Sequence, residues 1–245
     1  MAIHFILIVG RNKETVNYRE AVLESGHIPI ITNTLDLLIE SKENHDALSP
    51  CLLSRIELLI LPGGGDIAPD LLKRISPQTI SDSTLFSNID YELDCIQLAY
   101  LKYFHQKKLP IIGICKGMQL VNSYFGGTLL PDMTKSDKHL HTYLQYKDNQ
   151  HSCQYISINN FPSFSNLTLL KQLYETGKLP TQINSAHHQC LATFGNDLIP
   201  FQYADYIPEG FLHATLPIIG LQWHPERLFY ENGSYLKLLL SFFLT

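Results

Sequence analysis

The chain has 245 residues, of which 45% are hydrophobic and 17% charged, and a formal net charge of −5. That composition excludes a disordered chain and supplies enough apolar material for one large core. A negative balance with no basic cluster beyond Lys107-Lys108 argues against a nucleic-acid partner, which would need clustered cations to neutralise phosphates.

Residues 3–9 form an apolar run that is too short for a membrane span and lacks the flanks of a signal peptide. They are expected to be a buried first strand, in a cytoplasmic protein with no membrane partner. A helix is expected over residues 18–25, ending at Gly26, because glycine readily takes the left-handed conformation that closes a helix. Residues 28–31 and 58–61 read as the second and third strands, the latter entering the Gly63-Gly64-Gly65 turn. A long helix is expected over residues 89–105, where Leu93, Ile96, Gln97, Tyr100 and Leu101 recur at helical spacing. Residues 110–114 form a fourth buried strand that runs directly into Cys115. A helix follows to about Phe125 and is stopped by Gly126-Gly127.

Beyond this point the pattern changes. Residues 134–154 are polar and read as loop, with His139, His141 and His151 as solvated loop histidines. Short β-like runs follow at 155–158, 181–184, 199–203, 211–214 and 218–222, and their spacing suggests an antiparallel extension of the sheet. A last helix is expected over residues 233–243. Apolar runs alternating with helical patterns define an α/β fold with a mainly parallel sheet covered on both faces. No repeat or linker interrupts it, so residues 1–245 are expected to form one domain.

The strongest chemical signal is Gly113-Ile114-Cys115-Lys116-Gly117. A strand ends, one residue occupies a sharp turn, and a helix begins, which is the thiol counterpart of the G-x-S-x-G elbow. Cysteine at a helix N-terminus is favoured as the thiolate, whereas an ordinary cysteine, near about 8.5, is mostly protonated at neutral pH. The other cysteines, at 51, 95, 153 and 190, form no C-x-x-C pair and read as core or incidental residues of a reducing compartment.

A nucleophile needs a base, and the base needs an orienting group. The apolar run ending in Trp223 leads into His224-Pro225-Glu226, so His224 is expected at a strand end on the rim occupied by Cys115. Proline would stiffen the turn and bring Glu226 back onto the far imidazole nitrogen. The Leu61-Pro62-Gly63-Gly64-Gly65-Asp66 turn would lie on the same carboxyl edge of the sheet. It lacks both phosphate-loop patterns, and its glycines could aim one N–H at a developing oxyanion, with the N–H of Lys116 as the second donor. Adjacent His187 and His188, if extended, point in opposite directions. Without a third spaced ligand they make poor zinc spacing, so no metal is expected.

These motifs, together with Gly113-Ile114-Cys115-Lys116-Gly117-Met118-Gln119, Gly126-Gly127-Thr128-Leu129, Asn184-Ser185-Ala186-His187-His188-Gln189 and Gly220-Leu221-Gln222-Trp223-His224-Pro225-Glu226, stand in one order along the chain. In that order they resemble class I glutamine amidotransferase-like hydrolases, in particular the γ-glutamyl-γ-aminobutyrate hydrolase branch of peptidase family C26. The resemblance implies a flavodoxin-like sheet, a Cys115-His224-Glu226 triad, a γ-glutamyl thioester intermediate and no cofactor. It also places the glycine-loop donor at Gly64 and substrate contacts at Gly65, Gln119, Ser185 and His188, and suggests a homodimer. Three positions depart from the pattern of relatives: Lys116 stands where many carry arginine, Asn88-Ile89 replaces an Arg-Asp pair, and Pro131 replaces a glutamine before Asp132.

The expected activity is hydrolysis of a small γ-glutamyl amide with release of glutamate. The first rival is a glutaminase component that feeds ammonia to a partner synthetase. The second is a non-catalytic binder of γ-glutamyl ligands.

Overall fold

Strand β1 (Phe5–Val9) shows how the sheet is covered. Its side chains alternate between faces, as a period of two requires. Ile6 and Ile8 pack with Tyr18, Ala21 and Val22 of α1 (Val16–Glu24), whereas Leu7 and Val9 join a second apolar layer on the other face. The same alternation recurs in β3 (Ile56–Leu61), where Leu58 and Ile60 face one layer and Leu59 and Leu61 the other. Burying each such side chain on both faces contributes about 1.5–3 kcal/mol, which is why these strands read as unbroken apolar runs. The computed structural model describes residues 2–38, 48–77, 80, 83–141, 149–155, 175–231 and 233–244.

After α1 the chain forms β2 (Ile28–Thr32), α2 (Leu48–Leu53) and β3, then α3 (Pro69–Ile75) and the long α4 (Tyr91–Lys107). Asp90 caps α4 by accepting the Leu93 N–H at 3.0 Å, and its carboxylate also takes a bidentate pair from Arg11 at 2.8 and 3.0 Å. Strand β4 (Ile111–Ile114) leads to α5 (Lys116–Tyr124), then β5 (Thr128–Leu130) and α6 (Lys135–His141). Short β6 (Asn149–Ser152), β7 (Gln154–Tyr155), β8 (Gln182–Ser185) and β9 (Cys190–Thr193) follow. The chain ends with β10 (Leu198–Ala204), β11 (Ile207–His213), β12 (Ile218–Leu221), the β13 (Phe229–Tyr230) and β14 (Gly233–Ser234) pair, and α7 (Tyr235–Phe243).

Eight strands make the central sheet in the order β2-β1-β3-β4-β12-β11-β10-β7. The first five are parallel, and β11, β10 and β7 continue antiparallel. This is the expected flavodoxin-like α/β arrangement with its antiparallel extension. No described helix is long and apolar enough to cross a membrane.

Two expectations are corrected here. The run at 181–184 is not part of the central sheet: β8 pairs with β6, and β5 with β9, as separate two-stranded sheets. The polar stretch 134–154 is not simply loop, since it contains α6 and β6. Thr134 caps α6 by accepting the Asp137 N–H at 3.3 Å, a local signal that needs no apolar face. Residues 142–148 and 156–158 lie outside the described residues.

The elbow between β4 and α5 depends on close backbone approach. A Cβ on Gly117 would stand 2.1 Å from Leu61 O, while one on Gly26, at φ +78°, would meet nothing within 4 Å. Gly117→Ala is therefore expected to destabilise the protein by about 3 kcal/mol, against about 1 kcal/mol for Gly26→Ala. Urea denaturation of the two variants measures the difference, and equal costs would contradict the packing described.

Candidate active site

Parallel pairing of β4 with β12 brings the first two groups together. Gly113 stands opposite Gly220 and Ile114 opposite Leu221, and the Cys115 N–H continues the ladder by donating to Leu221 O at 2.7 Å. Cys115 then turns sharply, at φ 51° and ψ −108°, and caps the N-terminus of α5. A non-glycine residue in this region is strained. The strain lifts the side chain out of the strand direction, at a position only 5% exposed.

His224 lies just beyond β12. Asn184 fixes its backbone from both sides, accepting its N–H and donating to its carbonyl, each at 3.1 Å. The imidazole Nδ1 donates to Glu226 Oε1 at 2.8 Å, which leaves Nε2 for the hydrogen bond with Cys115. Burial opposes a charge on His224, but the Glu226 carboxylate and the hydrogen bonds to Cys115 and Glu226 outweigh it and raise the imidazole from 6.5 to about 10.

Gly63 leaves room for this contact: a Cβ there would lie 2.9 Å from His224 Cε1 and 3.3 Å from Cys115 Cβ. Its N–H donates to Tyr18 Oη at 3.0 Å. Burial and the nearby Glu226 charge push the Tyr18 phenol well up, so it remains a neutral hydroxyl. Gly64 N–H makes no hydrogen bond among the described residues. Lys116 N–H belongs to the first helical turn, where no intrahelical acceptor exists. These are the two amides that the sequence reading named as candidate oxyanion donors.

The Lys116 side chain turns inward. Its Nζ pairs with Asp94 Oδ1 at 2.9 Å, both groups being almost fully buried, and Asp94 Oδ2 accepts the Ala68 N–H at 2.8 Å. The ammonium lies beneath the glycine loop, 3.6 Å from where a Gly64 Cβ would sit. It therefore ties the elbow helix to α4 and to the start of α3.

Two cavities open on either side of the sulfur and share Gly64, Cys115 and Ala186 as walls. One, of about 150 Å³, is lined by Gly65, Asp66, Asn88, Gln119 and His188 among others. The second, of about 300 Å³, lies on the His224 and Tyr18 side. Gln119 is held by Gln222 Oε1 at 3.2 Å. His188 bridges Asp132 Oδ1 through Nδ1 and Asp66 through Nε2, each at 3.1 Å. Hydrogen bonds to two carboxylates, Asp66 foremost, raise the His188 imidazole against the opposing effect of burial. Burial also opposes ionisation of Asp132, yet Lys138, at 2.5 Å, and His188 hold its carboxyl below the usual range.

Of the residues expected to contact substrate, Gly65, Gln119 and His188 line the smaller cavity, and Ser185 lines neither. Ser185 is fully buried, with its hydroxyl 2.6 Å from His151 Nε2. His151 is accordingly a buried partner in β6 rather than a solvated loop histidine. Both His187 and His188 line the cavity, because residues 186–189 form a turn between β8 and β9 and the alternation of an extended strand does not apply. Sequence reasoning missed Tyr18, Asn184 and Asp94. Asn184 stood inside a recognised motif, whereas Tyr18 and Asp94 lay in helices with nothing local to mark them. Among the described residues no group of three or more His, Cys, Asp or Glu side chains is disposed to hold a metal ion.

The fold is shared with solved class I glutamine amidotransferases. It belongs to the Peptidase C26 family, whose sequence model matches residues 7–226. A Rickettsia prowazekii protein described as glutamine amidotransferase-like is 29% identical over 259 residues, covering 91% of this chain and 85% of that protein. The γ-glutamyl-CDP-amidate hydrolase of Campylobacter jejuni is 27% identical over 179 residues, covering 73% and 64% respectively. A glutamine amidotransferase structure from Thermotoga maritima superposes with a TM-score of 0.58 at 14% identity, over 92% of this chain and 77% of that one, and so supports the fold.

Glu226→Gln removes the charge that holds the His224 proton. In the wild type that proton should be lost only as pH rises through about 10, and in the variant at a lower pH. Titration of the His224 ring by NMR reads both values. An unchanged value in Glu226→Gln would rule out the carboxylate as the source of the shift.

Proposed function

We propose that the protein is a cysteine hydrolase of small γ-glutamyl amides that releases glutamate through a γ-glutamyl thioester on Cys115. One observation carries this reading: a single buried imidazole is hydrogen-bonded to Glu226 on one side and Cys115 on the other. The unengaged Gly64 amide adjoins the same sulfur. Membership of Peptidase C26 supports hydrolase chemistry, and one relative is named a γ-glutamyl-CDP-amidate hydrolase. The resemblance to the γ-glutamyl-γ-aminobutyrate branch supports an amine half like γ-aminobutyrate.

The steps follow from the geometry. His224 Nε2 takes the Cys115 proton, the thiolate attacks the γ-carbonyl carbon, and the carbonyl oxygen becomes an oxyanion facing the Gly64 and Lys116 amides. As the tetrahedral intermediate collapses, the C–N bond breaks and His224 Nε2 gives its proton to the departing nitrogen. Neutral His224 then takes a proton from water, hydroxide adds to the thioester carbon, and the C–S bond breaks to release glutamate. Glu226 keeps the imidazole oriented and offsets its charge throughout.

Cys115→Ala should lower hydrolysis of γ-glutamyl amides by about four to six orders of magnitude, measured as glutamate release by purified protein. Retention of full activity would sink the assignment. A glutamine-like electrophile should label Cys115, as read by mass spectrometry. Binding without turnover or labelling would favour the non-catalytic binder. Glutamine turnover that rises only with a copurifying synthetase would favour the glutaminase component.

A further inference from the structure

Hydrolysis of the thioester asks more of the site than its formation does. In acylation the departing nitrogen has one lone pair, and the proton from His224 takes it. The attacking water has two. One adds to the acyl carbon while a proton passes to His224 Nε2, and the other can accept a hydrogen bond that holds the oxygen in line. The triad offers no donor for it: Cys115 carries the acyl group, His224 is accepting a proton and Glu226 is an acceptor. The Gly64 and Lys116 amides face the oxyanion.

Tyr18 has the donor that is needed. Its hydroxyl accepts the Gly63 N–H at 3.0 Å, and its own proton has no acceptor among the described residues. A buried phenol ordinarily uses both its donor and its acceptor. Tyr18 is buried in α1, and burial with the nearby Glu226 charge keeps the O–H protonated. The hydroxyl also adjoins the reacting groups. A Cβ on Gly63 would lie 3.4 Å from Tyr18 Oη, 3.3 Å from Cys115 Cβ and 2.9 Å from His224 Cε1, so the three side chains surround one point. Tyr18, Cys115, His224 and Glu226 line the same cavity of about 300 Å³, which has room for water.

We propose that the Tyr18 hydroxyl donates to the water that attacks the thioester, and so acts as a catalytic residue in the second half-reaction and not in the first. The proposal rests on the hydrolase reading and deepens it. The water oxygen bonds to the acyl carbon as its proton passes to His224 Nε2. Collapse of the tetrahedral intermediate then breaks the C–S bond, glutamate leaves, and the sulfur recovers the proton from His224. Tyr18 keeps its own proton throughout.

Tyr18→Phe keeps the ring in its apolar packing and removes the hydroxyl. With γ-glutamyl-p-nitroanilide as the probe, the first turnover of p-nitroaniline release reads acylation, and acid quenching with mass spectrometry reads the thioester on Cys115. The variant should acylate at the wild-type rate, hydrolyse the thioester about ten-fold more slowly, as for loss of one hydrogen bond, and accumulate the thioester. Hydroxylamine attacks through the single lone pair of its nitrogen. It should convert the thioester to γ-glutamyl hydroxamate at the same rate in both proteins. If acylation, hydrolysis and hydroxamate formation all slow together, Tyr18 only holds the glycine loop through Gly63, and the proposal is overturned. Unchanged thioester hydrolysis in the variant overturns it as well. No p-nitroaniline release by the wild type, with no electrophile labelling at Cys115, overturns the hydrolase reading and this proposal with it.

Discussion

The parallel pairing of β4 with β12 is the constraint on which the site depends. Cys115 follows β4 by one residue and His224 follows β12 by three, so the register that places Gly113 opposite Gly220 also sets sulfur beside imidazole. Neither glycine could carry a side chain. A Cβ on Gly220 would stand 2.4 Å from Phe211 Cζ and 2.8 Å from Met118 Cγ, and one on Gly113 would stand 2.7 Å from Gly117 O. The elbow helix therefore rests directly on a seam of bare backbone. A one-residue slip would turn every side chain of the strand to the wrong face and remove Cys115 N–H from Leu221 O.

Around this seam the fold sets charge in matched groups: Lys116 with Asp94 and His224 with Glu226, both buried, and His188, half-buried between Asp66 and Asp132. Such pairs add little net stability, because desolvation consumes most of the Coulomb gain. Their effect is on placement. Lys116 and Asp94 hold the elbow against α4 and the start of α3. His188 joins the glycine loop to the segment after β5. Lysine in place of the arginine of many relatives has a clear consequence: its ammonium is committed to Asp94 beneath the loop, so the Lys116 contribution to the site is its backbone N–H.

The parallel half of the fold was legible because buried strands leave a continuous apolar signature and glycines mark the turns between strand and helix. The elbow and His-Pro-Glu were legible because each confines particular residue types to a short span at a strand end. What stayed hidden was set by distant contacts or lacked an apolar pattern. Polar β6 carries no periodic signal and is defined by its pairing with β8. Helix α6 is announced by a Thr134 cap inside a stretch that reads as loop. Tyr18 looks like any apolar-face residue of α1, and its role appears only when its hydroxyl meets Gly63 N–H, 45 residues away.

The central claim is that one sulfur carries the acyl group during turnover. Acid quenching of the protein during steady-state hydrolysis of a γ-glutamyl amide, followed by peptide mass spectrometry, tests it directly. The account predicts one added glutamyl group on the peptide containing Cys115, absent from Cys115→Ala. Active turnover with that peptide unmodified, and the glutamyl group found on another residue, would contradict it.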